Sequence, residues 1–430
     1  MKSYTHRHRP FATRVAATLA PLLAPSLARA QTALDEAPRA AAASTGAQRG
    51  DGVTATDTTA PTRPRTATLR IGVNQGFHIG TADERVSLTI RAFVQPRLTV
   101  DFPAPRPMAP PDSVVPAVPS FTVRRVRLIL QGALLGPRLN YQVHLGFAPQ
   151  DLGNQSPLFD AFLTWAPSPS FQLRFGQFFV PFNRNRWISI MRQMFIERPL
   201  STNEFNLDRD LGVMAFSNDL FSSGGRLGYA LGIFGGGGRN RPDADYGFLY
   251  VARFHVNPLG RFDDSDSEWD LARSGPRLAI GVAGAFNHRY QPVEMGAIGA
   301  PRVDRLSAVA DVLFKWKGLT LQLEALARWH PTGFESNVLA ARSALGYFAQ
   351  IGYVTPVHLA LGARISQTTP IVDEMGGRAF APTREVSAIV AYLALDGALN
   401  VSLDYTNTQR QPMDLSTTPH SVRLQTMLIF

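Results

Sequence analysis

From about residue 85 onward, apolar and polar side chains alternate with a period of two, the spacing at which successive residues of an extended strand point to opposite faces. Val86, Leu88, Ile90, Ala92 and Val94 alternate with Arg85, Ser87, Thr89, Arg91 and Gln95. Leu139, Tyr141, Val143 and Leu145 are set against Asn140, Gln142 and His144, and Leu399, Val401, Leu403 and Tyr405 against Asn400, Ser402, Asp404 and Thr406. Helical periodicity is hardly seen. Cut at their breaks, these segments predict sixteen strands, near 85–100, 120–135, 138–149, 157–166, 171–180, 210–220, 226–235, 246–257, 276–288, 303–316, 319–330, 343–354, 357–368, 384–395, 398–408 and 420–430. The last ten residues, SVRLQTMLIF, follow the same rule, with Val422, Leu424, Leu428 and Phe430 on one face and Arg423 and Gln425 on the other.

The breaks are sorted by parity. Short turns fall at Gly136-Pro137, Pro167 to Ser170, Phe221 to Gly225, Lys317-Gly318, Thr355-Pro356 and Asp396-Gly397, while the connections between them are mostly longer and rich in polar, Pro and Gly residues. A soluble β-sandwich would alternate too, but has no reason to sort its loops this way across sixteen strands. Strands of about ten residues, an even strand number, short turns at one end and long loops at the other predict an all-β fold: a transmembrane 16-stranded antiparallel β-barrel of the bacterial outer membrane. Its neighbours there are outer-membrane lipid and lipopolysaccharide.

The front of the chain reads differently. Lys2, Arg7, Arg9 and Arg14 precede a short apolar run from Val15 to Ala24, and Ala28-Arg29-Ala30 offers small residues for cleavage, so residues 1–30 read as a secretory signal peptide. Residues 31–67, rich in Ala, Thr, Pro, Arg and Gly without apolar period, read as a disordered periplasmic leader. Residues 68–430 then form the barrel domain, with Leu69 to Gly80 as an extra strand-like run, either an edge strand or a plug. Five of the 43 basic residues and none of the 33 acidic ones lie in residues 1–30, so the mature chain keeps a positive excess of five. Only Lys2, Lys315 and Lys317 are lysines; the rest is guanidinium, suited to planar two-point contacts with carboxylate or phosphate. Cysteine is absent, which excludes disulfides and thiolate metal sites. The acidic run Asp263 to Asp270 lacks the glycine of a calcium loop and reads as a solvated loop at the turn end.

If apolar strand faces meet lipid, Arg91, Arg97, Arg125, Arg127, Arg174, Arg253, Arg277, Arg328, Arg364 and Arg423 point into the lumen, with Asp311, Glu324 and Asp404 as counter-charges. A charge on the lipid face would cost about 2–4 kcal/mol at mid-depth, which constrains that assignment. Small inward residues opposite one another leave room for water, and sixteen strands enclose a channel rather than a packed core.

The segments GQFFVPF (Gly176 to Phe182), NRNRWISIMRQMFIERP (Asn183 to Pro199) and RDLGV (Arg209 to Val213) stand out, together with RRVRLILQG (Arg124 to Gly132), LFDAFLTW (Leu158 to Trp165) and GYALGIFGGG (Gly228 to Gly237). In this order and spacing the chain, over about residues 85–430, resembles the phosphate-selective porins O and P. The resemblance implies a homotrimer of barrels, each with an anion-preferring pore narrowed by a long, inward-folding third extracellular loop. That loop spans roughly Pro181 to Asp208 here, and its Arg184, Arg186, Arg192 and Arg198 become candidates for the constriction. Trp187, Ile188, Met191, Met194, Phe195 and Ile196 make it too apolar to lie wholly in water, so one side should pack on the inner wall. Its arginines could instead pair locally with Glu197, Glu204, Asp208 and Asp210 and merely pin the loop. The chain departs from the family in lacking lysine clusters and in having Gly235 where Asn is common.

The function expected is a water-filled channel for passive diffusion of small anions, phosphate or polyphosphate among them. The alternatives are a general, weakly selective porin and a structural or adhesive barrel. No cofactor, metal or nucleic-acid partner is implied. An enzyme is not expected either: His78, His144, His255, His288, His330, His358 and His420 lie on separate strands or turns with no serine motif beside them.

Overall fold

The computed structural model describes residues 67–72, 75–103, 116–152, 156–241, 247–262, 267–290, 303–330, 343–370, 382–410 and 419–430. The expected signal peptide and all but the last residue of the expected leader lie outside them, as do residues 263–266 of the acidic run. The alternating segments are strands: β1 (Thr68–Gly72), β2 (Gly76–Gly80), β3 (Ser87–Phe102), β4 (Val118–Ala133), β5 (Leu139–Gly146), β6 (Leu158–Ser168), β7 (Phe171–Phe179), β8 (Arg209–Ser217) and β9 (Leu227–Phe234). There follow β10 (Leu249–Val256), β11 (Arg277–Tyr290), β12 (Val303–Trp316), β13 (Leu319–Trp329), β14 (Ala344–Val354), β15 (Leu359–Pro370), β16 (Thr383–Ala394), β17 (Leu399–Arg410) and β18 (His420–Ile429). From β3 to β18 each strand pairs antiparallel with its sequence neighbours, and β18 returns to β3, from His420 opposite Phe102 to Ile429 opposite Phe93. The result is the closed sixteen-stranded antiparallel barrel that the alternation predicts.

Burial is inverted relative to a soluble protein. On β13, Gln322, Glu324 and Arg328 are buried while Leu323 and Trp329 are exposed; on β17, Ser402 and Asp404 are buried while Val401, Leu403 and Tyr405 are exposed. Lipid takes the place of the core for the outward set, and the inward polar set must find partners inside the barrel. The turn end is built from tight connections such as Lys317-Gly318, where both residues have positive φ (48° and 96°), as a two-residue hairpin loop with the twist of its strands requires.

The run at 69–80 is a hairpin of β1 and β2 rather than a plug. It extends the wall at the turn end: β2 pairs with Ser87–Ile90 of β3, directly beyond the stretch of β3 that pairs with β18. Residues 180–208 form the third long connection and turn into the barrel through α1 (Arg184–Trp187) and α2 (Leu200–Phe205). Their apolar side packs on inward residues as expected. Met194, Phe195 and Ile196 meet Trp269, Val354, Ala360, Ile389, Ala391 and Leu393, and Ile188 meets Phe262, Ala279 and Leu313.

Two expectations are corrected here. Small inward residues do not simply make room for water: a Cβ on Gly352 would lie 2.5 Å from the Met194 side chain, and one on Gly346 would lie 2.6 Å from Phe205. On β14 smallness accommodates the loop. The described part of the acidic run is not a solvated loop either. Glu268 and Asp270 are buried, because residues 267–270, on the connection from β10 to β11, lie inside the barrel against the third loop and Lys315. There Glu268 accepts hydrogen bonds from Asn185 Nδ2 (2.7 Å), the Met194 backbone N–H (2.7 Å) and Gln350 Nε2 (3.0 Å).

Candidate functional site

With the loop laid against β11–β18, the open space lies on the other side, between residues 186–198 and the inner faces of β3–β8. It is a water-accessible cavity of about 840 Å³. Ten arginines and four carboxylates line it, leaving an excess of six positive charges. Its guanidiniums are held by aromatic faces as well as by acids. Arg174 sits 4.1 Å from the Phe162 ring centre, near Phe216, and donates to Thr164 Oγ1 at 3.0 Å. Arg209 lies 3.6 Å over Phe179 and pairs with Asp160 (2.7 Å), and Arg127 lies 3.8 Å over Phe159 and pairs with Asp151 (2.7 Å). Stacking fixes a guanidinium plane without neutralising its charge. Among the described residues Arg91 and Arg174 make no ion pair, and Nε and Nη2 of Arg91 have no hydrogen-bond partner.

Of the residues singled out by parity, Arg91, Arg125, Arg127 and Arg174 border the cavity, as do Arg186, Arg192 and Arg198 from the loop. The others do not, and each is tied elsewhere. Arg97 pairs with Glu197, Arg277 with Asp270, Arg328 with Glu204, Arg364 with Glu385 and Arg423 with Asp404. Arg184 is fully buried rather than at the constriction: it and Arg253 share the carboxylate of Asp311, at 2.5 and 2.7 Å. Asp311 and Glu324 therefore anchor the loop, since Glu324 accepts from Asn183 Nδ2 (3.0 Å) and from the Asn185 backbone N–H (3.1 Å). Arg198 borders the cavity but spends its donors on the carbonyls of Asn185 and Ile188, stapling the loop to itself. Lys315, one of the two lysines in the barrel, donates to the Ser267 carbonyl and holds the second inward connection.

Three lining arginines are neither parity nor constriction candidates: Arg124, Arg209 and Arg239. Arg124 escapes the parity argument because β4 carries a bulge. Gln95 pairs with Arg125 but the next residue, Pro96, pairs with Val123, so Arg124 is the extra residue and joins Arg125 on the inner face. The adjacent arginines within a strict alternation, opposite a proline that cannot donate to the ladder, were the available signal. Arg209 opens β8 within the RDLGV segment, and Arg239 lies in a loop, where alternation says nothing.

Glu197 stands where the loop meets this wall. Its carboxylate takes Arg97 at 2.6 Å, Arg124 at 3.0 Å and Arg125 at 3.4 Å. Burial pushes that carboxyl up, but the guanidiniums of Arg125, Arg97 and Arg124 outweigh burial and leave it well below the usual carboxylate range. Burial likewise raises the Asp208 carboxyl, and Arg186 and Arg209 overcome it, so that this group too is held low.

A closed barrel with lipid-facing apolar residues, a polar interior and a folded-in loop beside a water-accessible cavity defines an outer-membrane channel protein, a porin. The model of the phosphate-selective porin O and P family matches residues 110–358, more than half of the chain, and the chain belongs to that family. Among solved structures it is similar to OmpF of Salmonella typhi in a complex with daunomycin (TM-score 0.53, 12% identity, 81% of this chain and 99% of that one). It is similar too to an anion-selective porin from Comamonas acidovorans (TM-score 0.53, 10% identity, 80% and 100%). The outer-membrane channel DcaP of Acinetobacter baumannii is a further neighbour (TM-score 0.51, 11% identity, 80% and 97%). No curated protein matches the sequence. As a member of this family the protein resides in the bacterial outer membrane.

Proposed function

We propose that this porin passes small anions by passive diffusion, with selection made in the passage between residues 186–198 and the wall of β3–β8. The observation that carries this reading is the six-charge excess of guanidinium over carboxylate around the cavity. Rings and ladders of fixed positive charge in a narrow aqueous space lower the barrier for anions and raise it for cations. Phosphate and polyphosphate are candidate solutes, in keeping with the family description, and the Comamonas neighbour is itself described as anion-selective. The homotrimer, seated among lipid and lipopolysaccharide, belongs to the same proposal.

The test is the reversal potential of the purified protein in a planar bilayer across a potassium chloride gradient, repeated with phosphate added. Anion selectivity with phosphate blocking the chloride current is the expected result. Weak selectivity without block would leave a general porin, the outcome favoured if Asp151, Asp160, Glu197 and Asp208 neutralise their neighbours.

A further inference from the structure

Glu197 has three guanidiniums around one carboxylate, more than an ion pair needs to pin a loop. Its backbone is fixed independently: Arg364 Nη1 donates to the Glu197 carbonyl at 2.8 Å, and the preceding Phe195 and Ile196 are packed against the wall. Glu197 borders the cavity together with Arg124 and Arg125.

Arg97 and Arg125 have partners besides Glu197, whereas the hydrogen bond of Arg124 among the described residues is to Glu197 itself, at 3.0 Å. Arg97 donates Nε and Nη2 to Gln425 Oε1 at 3.0 and 2.7 Å, and Arg125 donates Nη1 to Gln95 Oε1 at 3.0 Å. These amides are neutral, so they orient the guanidiniums without cancelling their charge. Glu197 is the one carboxylate within ion-pair distance of Arg97, Arg124 and Arg125 among the described residues. Two guanidiniums preset by neutral amides, with a third beside them, aimed at a single two-oxygen face and bordering a water-accessible cavity, make an oxyanion site.

We propose that Arg97, Arg124 and Arg125 form a binding site for small oxyanions, and that the carboxylate of Glu197 is its tethered occupant, which a solute must displace to bind. Carboxylates and phosphate share the two-oxygen face that Glu197 presents. The side chain swings out while the loop stays docked, so Glu197 sets how tightly the passage holds a solute. The proposal rests on the anion-channel reading above and adds to it an internal competitor.

The experiment compares the full-length porin with E197Q, E197D and E204Q in planar bilayers, titrating succinate and inorganic phosphate as blockers of chloride current. Glu204 pairs with Arg328 and does not border the cavity, so E204Q adds the same net charge at a distance. In E197Q the half-blocking concentration of at least one probe should fall about tenfold or more, the factor carried by one charge-assisted hydrogen bond. E197D, one methylene shorter, should fall between E197Q and wild type, and E204Q should match wild type. Tighter block by succinate alone assigns the site to carboxylates, and tighter block by phosphate alone assigns it to phosphate. Unchanged block by both probes in an E197Q protein that migrates as a folded barrel overturns the proposal, and so does an equal fall in E204Q. An anion-selective wild type with unaltered E197Q removes this inference and leaves the channel reading standing. An unselective wild type whose E197Q variant becomes blockable does the reverse.

Discussion

Asp311 is the point at which the third loop is most exposed to a single change. Its carboxylate bridges Arg184 from the loop and Arg253 from β10, both almost wholly buried, and Arg253 Nη1 also donates to the Phe182 carbonyl at 2.7 Å. In D311N the volume is kept and the negative charge is lost, so two buried guanidiniums lose the carboxylate between them. Breaking a buried pair by removing one partner costs about 3–5 kcal/mol. At about 1.4 kcal/mol per factor of ten, the docked loop then loses roughly two to four powers of ten against its released states. Release would open the lumen beside β11–β14, which the loop now fills. The expected result in single-channel recording is larger, noisier conductance with weaker ion preference, while the barrel, held by its strand ladders, still resists detergent. A D311N channel with wild-type conductance and noise would refute the reasoning and show that apolar packing alone holds the loop.

Two further expectations follow from the same geometry. R174S removes a cavity guanidinium without an acidic partner among the described residues and should lower the anion-to-cation permeability ratio, whereas R328S, whose arginine is committed to Glu204, should leave the ratio near wild type; equal effects in reversal-potential measurements would contradict the division between passage and anchor. The Glu197 carboxyl, held below its unfolded value of about 4.3, contributes stability that is full above that pH and is lost as pH falls through the lower folded value. The Glu268 carboxyl, raised by burial, works in the opposite sense and loses its contribution as pH rises through its folded value, so the advantage of wild type over E268Q in unfolding temperature should shrink from pH 5 to pH 8, read by heat-modified gel mobility.

The strand pattern was legible because lipid imposes it: each of the sixteen strands must put Leu, Val or Phe outward and its polar residues inward, and alternation records that demand at every step. The extra β1–β2 hairpin was visible as a run but not as an edge, since its partner residues lie on β3. The inward direction of Arg91, Arg125, Arg127 and Arg174 followed from parity alone. Arg124 did not, because one bulged residue resets the period. Nor did the pairing of Arg184 with Asp311, or the burial of Glu268 and Trp269, because these depend on where two loops run inside the barrel. Parity tells which arginines face inward. It does not tell which of them the loop will cover.

The hairpin at the turn end also bears on how the barrel finds its girth. Phe430 exchanges backbone hydrogen bonds with Ala92, and the next positions along that edge of β3 are taken by Gly76, set against Ile90 and Arg91, and by Phe77, paired with Ile90. β1, β2 and β3 are consecutive in the chain, so this edge can be filled by local pairing before β18 arrives. A slide of β18 toward the turn end would drive Phe430 into Gly76. In a closed barrel the offset between first and last strands fixes the tilt of all the others and with it the diameter. The hairpin would act as a mechanical stop for that offset, a gauge block set at the seam, and through it a few residues at the foot of the wall would bear on how wide the channel can be.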